Sequence, residues 1–254
     1  MSQNDIMDIL LNSSSDKKID LTDMALQTQK RIWSALKKGY EYSRVADKSD
    51  QYLREHVFSK TKMAVLYVDL VDSTNMALEL PEDKLAIIIS SFAQEMAYVI
   101  NHHGGYVLKF VGDAVIGYFV DNDSSESFTA RSIGCALSMS HTMKEGINPI
   151  LSQYDYPELR IKIGIDYGQN IIVRYGADHQ NSFVDIIGPT MNISAKIQGI
   201  AKSGEILIGG DAYNQTISST KKLFHKVEIE SNTWRYHSKS SRELYPVYRY
   251  VASR

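Results

Sequence analysis

Several things are scarce in this chain of 254 residues, and each shortage removes a class of protein. Cysteine is almost absent: Cys135 stands alone, so there is no disulfide framework and no cysteine-ligated zinc site. No apolar run approaches the roughly 18 residues that a membrane helix needs. The opening MSQNDIMDILLNSSSDKK lacks the basic-then-apolar layout of a signal peptide. Charge of one sign is missing too, with 28 Lys and Arg against 30 Asp and Glu and a net charge of −2. Such a balance offers no basic excess for nucleic acid or anionic lipid. There is no phosphate-binding loop of the Walker kind, no internal repeat and no low-complexity tract. These absences leave a cytoplasmic enzyme with neither nucleic-acid binding nor membrane insertion as the expectation. A hydrophobic content of 43% suffices for one sizeable domain plus an accessory segment.

The first sixty or so residues differ in texture from the rest. They are polar, punctuated by Ser13 to Ser15, with one helix signal after Asp20. There Leu21, Met24, Ala25, Ile32, Leu36 and Tyr40 trace an interrupted helical stripe with Trp33 beside it. Residues 1–61 therefore read as an N-terminal helical extension, packed against its own domain or a dimer mate, and 62–254 as the main domain. From Met63 onward strands and helices alternate. MAVLYVDL is a continuous β-type run, and Pro81 is a natural first residue for a helix burying Leu85, Ile88, Ile89, Phe92, Met96 and Val99 until Gly104-Gly105 stops it. YVLKFV and AVIGYFV read as a hairpin turned at Gly112-Asp113, and a second helix is expected from about Phe128 to Glu145. Two strands follow, RIKIGIDYG and NIIVRYG, then SFVDIIG, a helix from Pro189 through Ala201, and the strands EILIG and LYPVYRYV. The order strand, helix, hairpin, helix, strand predicts an α+β fold with a ferredoxin-like βαββαβ core and extra strands.

Two carboxylates stand out on this framework, Asp69 in VLYVDLVDST and Asp113 in VLKFVGDAVIGYF. A carboxylate ending a buried strand carries a desolvation cost that packing alone does not offset. Facing each other across neighbouring strands, the pair would supply hard oxygen ligands for two divalent ions, the arrangement that clamps both oxygens of a displacement at phosphorus. The plainer alternative is that Asp69 caps the following helix and Asp113 occupies a Gly-Asp turn.

The segments YVDLVDST, VLKFVGDAVIGYF, IKIGIDYG and FVDIIGPTMNISAKI together resemble the catalytic domain of the class III nucleotidyl cyclases, the adenylate and guanylate cyclase family, from about Lys62 to Val251. The stretches IIVRYG and IGPTMNISAK are similar also to bacterial pyrimidine cyclases. The resemblance implies the nucleotide cyclase fold and an adenylate cyclase that makes 3′,5′-cyclic AMP and pyrophosphate from ATP for intracellular signalling. It implies two ions, Mg²⁺ or Mn²⁺, held by Asp69, the backbone carbonyl of Leu70, and Asp113. Lys109 and Asp185 fall at the base-reading positions, where a donor and an acceptor suit adenine; a bare ion pair bracing adjacent strands is the other reading. Asn192 matches the residue that orients the ribose, and Lys196, one turn later, stands where most members have arginine, a planar fork replaced by a point charge. The C-terminal lysine that holds terminal phosphates has two candidates, Lys239 and Arg242.

In the resembled family, ion-binding and base-reading residues act across a head-to-tail dimer, so a chain with both sets implies a homodimer with two shared sites. Residues from Tyr175 through Phe183 would then reach toward the partner. Asp72, where the family usually has glycine, reads as a helix cap, Asp166 as a strand-end turn residue, and His102 and His103 as residues suited to a helix end. Two other classes stay open at this point. One is a cyclase for GTP or a pyrimidine triphosphate, or a nucleotide-binding regulatory homologue that has lost turnover. The other is a palm-type polymerase or diguanylate cyclase, which lacks support because no GGDEF-like turn is present.

Overall fold

The computed structural model describes residues 20–38, 45–121, 127–178, 181–229, 234–238 and 243–251. Tyr40, Lys239 and Arg242 lie outside them. Strand β1 (Lys60–Leu70) leads through a short helix (α3, Ser73–Glu79) into the long helix α4 (Glu82–His102). The hairpin β2 (Tyr106–Val111) and β3 (Ala114–Val120) follows, then α5 (Phe128–His141) and β4 (Ile161–Tyr175). The sheet runs β2-β3-β1-β4, with β1 antiparallel to both β3 and β4. That is the βαββαβ arrangement the sequence order predicts. Strands β6 (Ile206–Gly209), β8 (Val247–Tyr250) and β7 (Phe224–Lys226) extend it beyond β4, while β5 (Phe183–Ile187) pairs the far half of β4.

Alternation along β1 decides which face is packed by what. Ala64, Leu66, Val68 and Leu70 join one core with Ile88, Phe92, Met96 and Ile100 of α4 and Ile133 and Leu137 of α5. Met63 and Val65, on the other face, pack with Tyr118, Ile172 and Leu53, and Tyr67 lies against them. Leu53 belongs to α2 (Asp47–Glu55), a polar helix whose only buried residues are Ser49 and Leu53. Helix α6 (Pro189–Ile200) covers the rest of this second face, which therefore also receives Asp69, the next odd-numbered position.

The N-terminal helix α1 (Leu21–Lys38) packs on its own domain. Leu21, Ala25, Ile32 and Ala35 are buried, and Trp33 is exposed with the Lys37 ammonium over its ring. A forked contact holds the helix down: Arg31 Nε donates to Glu95 Oε1 at 2.7 Å and Nη2 to Oε2 at 2.6 Å, while Thr28 Oγ1 donates to Oε2 at 2.8 Å. Thr28 fits because residue 146 is glycine; a Cβ there would lie 2.7 Å from the Thr28 methyl. Gly146 sits in a π-helical turn, Thr142–Ile147, that continues α5.

Several expectations change. RIKIGIDYG and NIIVRYG form one 15-residue strand, because the glycine between them makes room for Thr190 instead of breaking the ladder. Asp166 is no turn residue. It lies inside β4, 2% exposed, accepting from Tyr245 Oη at 2.9 Å and from the Ala212 amide at 3.3 Å. Asp72 does occupy the position before α3, with φ of 60°, but its side chain makes no capping bond. His103 is buried against Ser138 Oγ at 2.9 Å, and burial pushes its pKa down to about 3, so the ring is neutral instead of a dipole-compensating cation. No described helix is long and apolar enough to cross a membrane.

Candidate active site

The end of β1 and the β2–β3 turn bring the two carboxylates together. Val68 pairs Val115 and Val111 pairs Ala114, so the Gly112-Asp113 turn lies beside Asp69 and Leu70. The carboxylates are close enough for Asp113 to act on Asp69 both through its charge and as a hydrogen-bonding neighbour. Burial first, and Asp113 second, push the Asp69 pKa above the usual carboxylate range. Asp113 Oδ2 is buried, and no donor among the described residues reaches it. A carboxylate oxygen left dry and unpaired is costly, and a cation is the group that would offset it.

Two donors that sequence reasoning missed converge on Asp69. Lys162, its register partner on β4, places Nζ 3.4 Å from Oδ2. Gln198, on α6, donates from Nε2 to the same Oδ2 at 2.8 Å. Lys162 had a signal in the sequence: it is a cation within the run IKIGI, at an even position that shares a face with Gly164 and Asp166. Gln198 had none, since 129 residues separate it from Asp69.

Lys109 and Asp185 also meet, Nζ to Oδ2 at 2.6 Å, with side-chain exposures of 34% and 16%. Asp185 is held from behind by the Ile186 amide, 2.9 Å from Oδ1. Tyr67 is their neighbour. It shares with Lys109 the register partner Ile116, and burial together with the Asp185 charge pushes its phenol up to about 12. Asn192 and Lys196 are exposed on α6, on a face separate from the one that sends Gln198 to Asp69. The sheet thus presents one cluster of Asp69, Asp113, Lys162 and Gln198, another of Tyr67, Lys109 and Asp185, and a helix face bearing Asn192 and Lys196. Among the described residues no three His, Cys, Asp or Glu side chains gather as a complete metal cage.

The model of the adenylate and guanylate cyclase catalytic domain matches residues 56–241. The chain belongs to this family. Among curated proteins, the uridylate cyclase of Rhodovulum sp. (strain MB263) is 32% identical over 146 residues, which are 55% of this chain and 58% of that one. A cytidylate cyclase of Staphylococcus aureus is 28% identical over 171 residues, 66% of this chain and 40% of that one. The matches therefore span about half the length of these relatives. The crystal structure of the guanylyl cyclase Cya2 superposes with a TM-score of 0.64 at 19% identity, covering 76% of this chain and 93% of that one. At that identity the likeness establishes the cyclase fold, a mixed α+β sheet with a ferredoxin-like core.

Asp69 and Asp113 form a hard, oxygen-only donor pair whose unpaired oxygen suits Mg²⁺ or Mn²⁺, ions that take one or two protein carboxylates and fill the remaining positions with water and phosphate. A cleft of about 550 Å³ between α1, the π-helical turn and the β6–β8 edge is lined by none of these residues.

Proposed function

We propose that the chain closes a nucleoside triphosphate to its 3′,5′-cyclic monophosphate with release of pyrophosphate, and that its preferred base is a pyrimidine. The first half rests on the Asp69–Asp113 meeting, with an oxygen of Asp113 buried and unpaired. Two divalent ions held by Asp69, the Leu70 carbonyl and Asp113 would acidify the ribose 3′-hydroxyl and neutralise the triphosphate. Lys162, a cation at the same strand end, is placed to meet phosphate oxygens. The 3′-oxygen gives up its proton to water and attacks the α-phosphorus, and the bond to the bridging oxygen breaks as pyrophosphate leaves. On this reading 62–254 are the catalytic unit and 1–61 its helical extension.

Base choice follows from Lys109, Asp185 and Tyr67. One ammonium donor and one carboxylate acceptor match adenine (ring nitrogen and 6-amino group), cytosine (ring nitrogen and 4-amino group) and uracil (carbonyl and N3–H). Hydrogen bonding alone does not separate these bases; ring size does. The bulk of the Tyr67 phenol beside Asp185 is the feature we read as favouring one ring over two. Relatives named uridylate and cytidylate cyclase support the same choice. ATP is the second reading, favoured by the adenine-compatible ion pair. Incubating the purified chain with each of the four triphosphates and Mn²⁺, and weighing the products, tests this: cyclic UMP or CMP is expected. Cyclic AMP alone would select the second reading, and no cyclic product would refute both.

The exposure of Asn192 and Lys196, turned away from their own chain's Asp69, supports a homodimer in which each chain completes the other's site. Tyr175 and Phe183, paired across β4 and β5 and both exposed, extend the arm on that side. Here Asn192 orients the ribose and Lys196 meets charge growing on the α-phosphate. Mixing Asp69→Ala with Lys196→Ala chains should restore activity through one repaired site in each mixed dimer; mixtures as inactive as either parent count against shared sites.

A further inference from the structure

Asp69 is reached by two donors, and both land on the same oxygen. Gln198 Nε2 lies 2.8 Å and Lys162 Nζ 3.4 Å from Oδ2, and no donor among the described residues reaches Oδ1. Asp113 stands beside it with its own Oδ2 buried and unpartnered. One carboxylate oxygen is thus held by both donors, while Oδ2 of Asp113 has none.

Of the two donors, Gln198 is the shorter contact and the more rigidly placed. Its backbone lies directly on β4: a Cβ on Gly164 would sit 2.3 Å from the Gln198 amide nitrogen, so α6 touches the sheet at this residue because position 164 is glycine. The neighbouring Ile197 is fully buried, which fixes the rotation of the helix and the direction in which the Gln198 side chain leaves it. A neutral amide is chemically apt. An Arg at 198 would cancel one of the two negative charges that attract a cation, and a Glu would add a third and repel Asp69. Glutamine orients the carboxylate and leaves its charge intact, as hydrogen-bond partners behind a metal ligand do.

We propose that Gln198 is a positioning residue for the ion site, its amide holding the Asp69 carboxylate so that Oδ1 and the unpaired Oδ2 of Asp113 are offered together to a divalent cation. The inference rests on the reading that Asp69 and Asp113 hold ions, and the test keeps the two apart. Mn²⁺ would be titrated into the metal-free full-length chain, with free Mn²⁺ followed by electron paramagnetic resonance, for the wild type, Gln198→Met and Asp113→Asn. Gln198→Met keeps the length and packing of the side chain and removes the donor. It should weaken Mn²⁺ binding by about 10- to 100-fold, leave the urea midpoint of the metal-free chain unchanged, and raise the Mn²⁺ concentration for half-maximal turnover more than it lowers kcat. Wild-type Mn²⁺ affinity in Gln198→Met, alongside lost binding in Asp113→Asn, overturns the role of Gln198 and leaves the ion site standing. Unchanged binding in Asp113→Asn overturns the ion site itself. A urea midpoint that falls together with the affinity assigns Gln198 to packing and overturns the proposal. Should the Met variant not fold, Gln198→Asn, whose amide stops one methylene short, takes its place: weakened Mn²⁺ binding at an unchanged urea midpoint is again expected, and wild-type affinity again overturns the role of Gln198.

Discussion

Removing the Arg31 guanidinium should loosen the N-terminal helix far more than an ordinary surface ion pair would predict. Glu95 is fully buried, and three hydrogen bonds satisfy its carboxylate, two from Arg31 at 2.6 and 2.7 Å and one from Thr28 at 2.8 Å. In Arg31→Met the aliphatic stem still covers α4, but the charge on Glu95 keeps only the Thr28 hydroxyl. Stranding a buried charge in this way costs about 3–5 kcal/mol, against about 0–1 kcal/mol for an exposed pair. For a chain of this length that corresponds to a fall in Tm of roughly 6–20 °C. The assay is urea unfolding of wild type, Arg31→Met, Glu95→Leu and the double variant. The double variant should recover most of the loss, because two apolar side chains strand no charge and leave only the Thr28 hydroxyl without its acceptor. A single-variant cost under about 1 kcal/mol, or a double variant no better than the sum of the singles, would refute the reasoning.

Further outcomes follow from other contacts. Burial holds the Asp166 pKa up, to about 7, against the hydrogen bonds from Tyr167, Tyr245 and Ala212 that lower it. An unfolded aspartate titrates near 3.9, so between about pH 4 and pH 7 the native chain keeps a proton that the unfolded chain has released, and stability falls as pH rises through that window. The full effect is of the order of 4 kcal/mol, and Asp166→Asn should remove it. Parallel pH profiles of the urea midpoint for the two proteins would contradict this. Gly164→Val should push α6 off β4, given the 2.3 Å approach to Gln198, with a loss of about 1–3 kcal/mol and a larger loss of turnover; full activity would show that the helix position is irrelevant to Asp69. Lys162→Met should raise the triphosphate KM with the base preference unchanged, and a switch of base instead would place Lys162 in the wrong part of the site.

How far the sequence discloses this molecule depends on the range of the interaction. The βαββαβ order, the proline-started α6 and the Gly104 helix stop rest on local periodicity and local backbone chemistry, and all are present. The Lys109–Asp185 contact came from a family resemblance, because no local rule joins residues on strands so far apart in sequence, and the residues alone left the approach of Asp69 to Asp113 as one of two alternatives. Helix α2 escaped because Ser49 and Leu53 are its only buried residues, too few to make a stripe. The continuity of β4 escaped because glycine ordinarily reads as an interruption, whereas Gly168 is there to admit a threonine from the helix packed above it.

Strand β1 has a hydrogen-bonded neighbour along both of its edges. Its amides can exchange with solvent only when the middle of the sheet opens, so those of Val65 to Val68 should be among the slowest in the molecule to take up deuterium. Asp69 therefore projects from backbone that breathes very little. On the proposed ion-site reading, a cation arriving there would have almost no chain left to order, and its capture should carry a small entropic penalty for the polypeptide.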